Sequence, residues 1–213
     1  MDNIQKNIDA FHIRYEQNRI WEKTAWLGVP MWKLPFDAFV IQELIYEIRP
    51  DYIIETGTGK GGSAVFYASI LELIGKGTVI TIDINPSFNL NNIQNNLRSR
   101  IIQITGDSVS HQVLTKVEAF AAGEESLVLL DSWHTCDHVL RELELYSQFV
   151  SVGSYLIAED THINNPVPWK YEDKGPMEAV KKFLSTRDDF IVDKECEKFG
   201  MSFNPGGWLR RMK

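Results

Sequence analysis

At 213 residues, with 44% apolar and 24% charged side chains, the chain has the makeup of an ordinary globular protein with room for one sizeable core. Its formal net charge of -7 argues against a surface built to hold nucleic-acid phosphates, which needs clustered Lys and Arg. Two widely separated cysteines, Cys136 and Cys196, exclude a disulfide framework, and neither a bilayer-spanning apolar run nor a secretory signal is present, so a cytoplasmic protein with no membrane partner is expected.

Residues 3–23 are charged and aromatic with helical spacing, which predicts an N-terminal helix. The Pro- and Trp-rich connector TAWLGVPMWKLPFD follows, and residues 37–48 return to helical periodicity that stops before Pro50. Then the pattern changes. Residues 52–54 form a short apolar β-branched run, followed by the glycine cluster ETGTGKGGS and a helix over 63–74. TVITID (78–83), RIIQITGD (100–107), SLVLLD (126–131) and SYLIAED (154–160) read as buried strands, with helices over 109–122 and 136–149. Short apolar runs alternating with helices imply parallel βαβ units with helices on both faces of a sheet. The irregular stretch over 161–175 is long for a connector and reads as a functional loop. A helix over 176–186 precedes two last strands, DFIVDKE and, past the NPGG turn, GWLRRM, which close the sheet antiparallel. The expectation is an α/β fold in a single domain over 1–213: a doubly wound, mostly parallel seven-stranded Rossmann-like sheet with an antiparallel C-terminal strand.

Carboxylates fall where such a fold binds ligands. Glu55, Asp83, Asp107, Asp131 and the pair Glu159-Asp160 each sit at or just past the C-terminal end of a predicted parallel strand. Gly57, Gly59, Gly61 and Gly62 after the first strand let the backbone turn tightly and approach a ligand closely. Gly57, Gly59 and Gly62 formally satisfy G-x-G-x-x-G with Asp83 about twenty residues on, as in a nicotinamide site. Glu55, two residues before the first glycine, tilts the choice: E-x-G-x-G-x-G resembles the first motif of class I methyltransferases. That resemblance implies that the loop carrying Gly57, Thr58, Gly59, Gly61 and Ser63 passes the methionine part of S-adenosylmethionine. Asp83 then matches the ribose position, and Asp107-Ser108 the adenine position.

Asp131, Glu159 and Asp160 end neighbouring strands and would converge. Converged anions repel unless a cation or protons neutralise them, and hard oxygen donors favour magnesium, calcium or manganese. The competing reading is that one acid caps the following helix while the others face water. Asp131 borders the cofactor side of the site as well as the metal. His134, three residues past Asp131, is the candidate base for an acceptor hydroxyl, with a helix-start role or a role as partner of Asp131 as its alternative; His138, one helical turn further, could line the same face, with a role outside the site favoured.

The stretches PDYIIETGTGKGGSAVFYASILELIGKGTVITIDI, LVLLDSWHTCDHVLRELELYSQFVSVGSYLIAEDT and NPGGWLRR resemble the family labelled cephalosporin hydroxylase, which includes rhamnosyl O-methyltransferase-like proteins. The resemblance implies a methyltransferase fold with a magnesium site on Asp131, Glu159 and Asp160. It also implies a small-molecule hydroxyl acceptor, such as a sugar or another product of secondary metabolism. In the similar arrangement of catechol O-methyltransferase the residue three past the first metal ligand is a lysine base; here it is His134. Residues 1–35 are expected to form a helical lid and 161–175 an acceptor-side loop, with Trp26, Trp32 and Trp169 as candidate stacking or packing residues. The aromatic N-terminal segment also suits a homo-oligomer contact. An oxidoreductase, nicotinamide-dependent or a hydroxylase, and a non-catalytic binding protein are the competing functions; no Y-x-x-x-K arrangement supports the nicotinamide enzyme.

Overall fold

A parallel strand covered by helices on both faces must be apolar on both sets of alternating side chains. The computed structural model, which describes residues 3–164, 166–167 and 174–213, is built on this rule. In strand β3 (Tyr52–Thr56) Ile53 faces one helical layer and Ile54 the other. The same division holds in β4 (Thr78–Asp83), where Val79 opposes Ile80 and Ile82, and in β6 (Ser126–Leu130), where Leu127 and Leu129 oppose Val128 and Leu130.

Before β3 the chain forms α1 (Asn3–Gln17), a two-strand hairpin of β1 (Ala25–Trp26) and β2 (Val29–Pro30), and α2 (Pro35–Ile48). After it come α3 (Gly62–Ile74), the short α4 (Asn95–Arg98), β5 (Ile101–Thr105) and α5 (His111–Ala121). Then follow α6 (Cys136–Tyr146), β7 (Tyr155–Ala158), α7 (Pro176–Ser185), β8 (Phe190–Val192) and β9 (Trp208–Arg211). The expected N-terminal helix is shorter than its periodicity suggests, ending at Gln17 before Arg19 takes a left-handed φ of 48°. The hairpin and α4 are additions to the expected order.

The large sheet has seven strands in the order β5-β4-β3-β6-β7-β9-β8. The first five are parallel, and β9 is antiparallel to both β7 and β8, as expected for the C-terminal closure. The strand order reverses between β3 and β6, which makes the C-terminal ends of those strands the switch point where open α/β sheets bind ligands. One layer packs α2 and α3 against the sheet around Ile41, Ile45, Tyr67 and Trp208; the other packs α5, α6 and α7 around Val117, Leu143, Tyr146 and Phe183. No helix among the described residues is long and apolar enough to cross a membrane.

Candidate active site

Register decides which side chains meet. Thr56 pairs with Leu130, and Leu130 with Ala158, so the next residues, Gly57, Asp131 and Glu159, stand side by side at the strand ends. The ladder runs on past the strands: Asp131 N–H donates to the Thr56 carbonyl at 3.0 Å and Glu159 N–H to that of Leu130 at 3.0 Å. Gly57 is forced by this crowding. It has φ +91°, and a Cβ there would stand 1.9 Å from the Asp131 carbonyl oxygen.

Above these ends lies a cavity of about 540 Å³, within the usual range for a small-molecule site. Gly57, Thr58, Gly59, Gly61, Gly62 and Ser63 form one wall, and Asp83, Asp107 and Ser108 another. Asp83 braces the glycine loop: its carboxylate accepts from Gly59 N–H at 2.9 Å and from Asn85 N–H at 2.8 Å. Ser108 meets the ring of His138 at 3.3 Å; that ring also lies 3.1 Å from Ser132 Oγ, which donates to the buried Glu142 carboxylate at 2.7 Å. Hydrogen bonding to Glu142 raises the proton affinity of His138. His138 therefore lines the cavity beside Ser108, the less favoured of its two expected placements.

Glu55 belongs to the loop's foundation. It is fully buried, does not line the cavity, and accepts from Thr81 Oγ1 at 2.7 Å, while Thr58 Oγ1 lies 2.7 Å from the same Thr81 hydroxyl. Burial pushes its carboxyl up to about 7.

Asp131, His134 and Asp160 all reach the cavity, and one ligand atom from each lies within 4.8 Å of the others. His134 Nε2 is 3.4 Å from Asp160 and 3.9 Å from Asp131. Asp160 holds a left-handed φ of 56°, a strained backbone for a residue with a Cβ. Its N–H is tied to the Asn204 side chain at 2.9 Å, and Thr161 Oγ1 donates to the Pro205 carbonyl at 2.8 Å. The NPGG turn thus has a role in the site: it holds Asp160 in place. His162 Nδ1 lies 2.9 Å from the Phe203 carbonyl, and its ring stacks on Phe203 at 4.3 Å.

Glu159 does not join that cluster. It is 6% exposed, and one of its oxygens lies 2.5 Å from the ammonium of Lys33, which also reaches Asp131 at 3.0 Å. Burial opposes the charge on Lys33, but Asp131 and Glu159 outweigh it and hold the ammonium above the usual lysine range. The second Glu159 oxygen is buried with no hydrogen-bond partner among the described residues. Asp131, Glu159 and Asp160 gather at the strand ends beside one ammonium, and burial raises the proton affinity of Asp131 and Glu159. Hard oxygens with one imidazole and an orphaned carboxylate oxygen fit a divalent cation such as magnesium or manganese.

The segment before α2 supplies Glu16, Trp21, Pro30, Trp32 and Lys33 to the cavity wall, and the residues after Asp160 supply His162 and Ile163. Trp32 meets Trp21 edge to face at 5.1 Å. Trp26 packs elsewhere, donating to Ser69 Oγ at 3.0 Å and lying edge-on to Phe66. Trp169 lies outside the described residues. Sequence reasoning missed Lys33, Glu16, Trp133 and Phe203. The one available signal was a lysine enclosed by apolar residues in MWKLP, a setting lysine seldom adopts without a charge partner.

Residues 18–212 match the family model described as rhamnosyl O-methyltransferase/CmcI. A rhamnosyl O-methyltransferase of Mycobacterium bovis is 31% identical over 208 residues, covering 95% of this chain and 84% of that protein. The Mycobacterium leprae protein of the same name is 29% identical over 209 residues, covering 95% and 90%. Among solved structures, CmcI with magnesium and S-adenosylmethionine superposes with a TM-score of 0.67 at 22% identity, over 90% of this chain and 78% of that one. The O-methyltransferase TomG from Streptomyces achromogenes, in complex with S-adenosylmethionine, gives 0.59 at 15% identity, over 100% and 91%.

Proposed function

Since the chain belongs to the rhamnosyl O-methyltransferase/CmcI family, we propose that it moves the methyl group of S-adenosylmethionine to a hydroxyl oxygen of a small molecule beside a divalent cation. The observation that carries this reading is the meeting of Asp131, His134 and Asp160 in the same cavity as the glycine loop. When bound, S-adenosylmethionine supplies an activated methyl on sulfur, and the cation supplies Lewis acidity that lowers the pKa of the acceptor hydroxyl.

The chain's own residues do the rest. The open backbone from Gly57 to Gly61 accepts the methionine end of the cofactor, Asp83 takes the ribose hydroxyls, and Ser108 with His138 borders the adenine. Asp131 and Asp160 hold the cation, with the unpartnered oxygen of Glu159 available behind them. His134 Nε2, 3.4 Å from Asp160 and 3.9 Å from Asp131, takes the acceptor proton. Trp21, Trp32 and Trp133 offer ring faces to a sugar acceptor, in keeping with the rhamnosyl substrate of the family's name.

Calorimetric titration tests the class. Saturable binding of S-adenosylmethionine and none of NADH is expected, and NADH binding alone would move the glycine loop to an oxidoreductase. Asp160→Ala is expected to keep cofactor binding while turnover on a sugar-hydroxyl acceptor falls by about 100-fold or more; unchanged turnover would remove Asp160 from the metal site.

A further inference from the structure

Lysine is among the side chains least often buried, and a buried one is normally matched to opposite charge. Lys33 is 4% exposed, and its ammonium holds one oxygen of Asp131 and one of Glu159. Its connector is pinned against the glycine loop: the Pro30 carbonyl lies where a Cβ on Gly62 would be 2.2 Å away. Met31 N–H donates to the Thr24 carbonyl at 3.0 Å, fixing the other side of the turn. A permanent positive charge is therefore built into the carboxylate group that the proposed function gives to a divalent cation.

Resting on that assignment, we propose that Lys33 is a resident counter-cation of the metal site, a positioning residue that holds Asp131 and Glu159 by one oxygen each and weakens the bound metal. Two effects fix the sign. An ammonium within a few ångströms of a divalent ion repels it, and repulsion at such range is strong where water is excluded. The ammonium also engages carboxylate oxygens that a metal would otherwise take. Neutralising Lys33 should therefore tighten metal binding. The metal-free chain moves the other way, because buried carboxylates lose their partner. The role follows: Lys33 keeps the empty site folded and the metal exchangeable. If Lys33 served only to stabilise the fold, neutralising it would lower the stability of the metal-free chain and leave metal affinity unchanged.

The test titrates magnesium and manganese chloride into the wild-type chain, Lys33→Met and Lys33→Gln, with thermal melts in chelator and in saturating metal. Lys33→Gln keeps a hydrogen-bond donor while removing the charge. Both variants are expected to bind metal at least about tenfold more tightly than wild type, to melt lower in chelator and to gain more from added metal. A variant that folds only with metal present counts the same way. Equal or weaker metal binding by a folded variant, or variants that stay unfolded at saturating metal, overturns the proposal. Absence of saturable metal binding to the wild-type chain strikes the metal assignment itself and removes the proposal with it.

Discussion

An imidazole serves as a base only where it can reach the proton it takes. His134 stands in the cavity wall just before α6, 3.4 Å from one carboxylate and 3.9 Å from another. His134→Gln is expected to lower kcat by about 10²–10⁴-fold with S-adenosylmethionine binding intact. The residual rate should climb with pH as the acceptor ionises unaided; a kcat equal to wild type would assign the proton elsewhere. Gly57 is constrained for a different reason, its missing Cβ making room for the end of β6. Gly57→Ala is expected to lower the melting temperature and abolish cofactor binding, read by calorimetry and a thermal melt; a variant binding normally would mean that the loop and β6 can part. The strand-end acids were legible because each directly follows an apolar run. Lys33 was not, because its partner Glu159 lies 126 positions away and no local pattern joins them.

Helix α2 does more than cover the sheet. Asp37 in its first turn accepts from Phe203 N–H at 2.8 Å, tying the helix to the loop that stacks on His162. Burial pushes the Asp37 carboxyl up to about 7. A raised carboxyl binds its proton more tightly folded than unfolded, so its contribution is full below about pH 4 and is lost as pH rises towards 7. Asp37→Asn should remove that slope, up to about 1.4 kcal/mol per pH unit. Thermal melts in chelator from about pH 5 to 8 measure it; parallel curves for the two chains would show that Asp37 does not titrate there. His12, lowered to about 4 chiefly by burial, works in the opposite direction, and its contribution is common to both chains. Most elements were legible from periodicity, yet the β1–β2 hairpin was not. Two-residue strands in a Pro-rich connector carry no period to read, and their pairing rests on a turn at Leu27-Gly28.

At the scale of the molecule, the doubly wound sheet could be read from the sequence because buried parallel strands leave unbroken apolar runs. Residues 1–35 were expected beside the acceptor pocket, but which of them line the cavity could not be read, since α1 and the turn after β2 reach it from outside the repeating βα pattern. The C-terminal strands show the same limit: their antiparallel sense was legible, their interleaving was not. β9 lies between β7 and β8, and Ala158 N–H donates to the Gly207 carbonyl at 2.9 Å beside the Asn204 tether of Asp160. This interleaving sets an order on biosynthesis. A ribosome makes β8 before β9, yet β8 pairs in the sheet with β9 alone, and Asp160 waits for Asn204. The emerging chain therefore carries its carboxylates long before it can arrange them, and site and sheet edge are completed together by the stretch that holds Asn204 and β9. Nascent chains stalled before Asn204 should remain open to protease through β8 and take up no magnesium, and chains that have released β9 should close both at once.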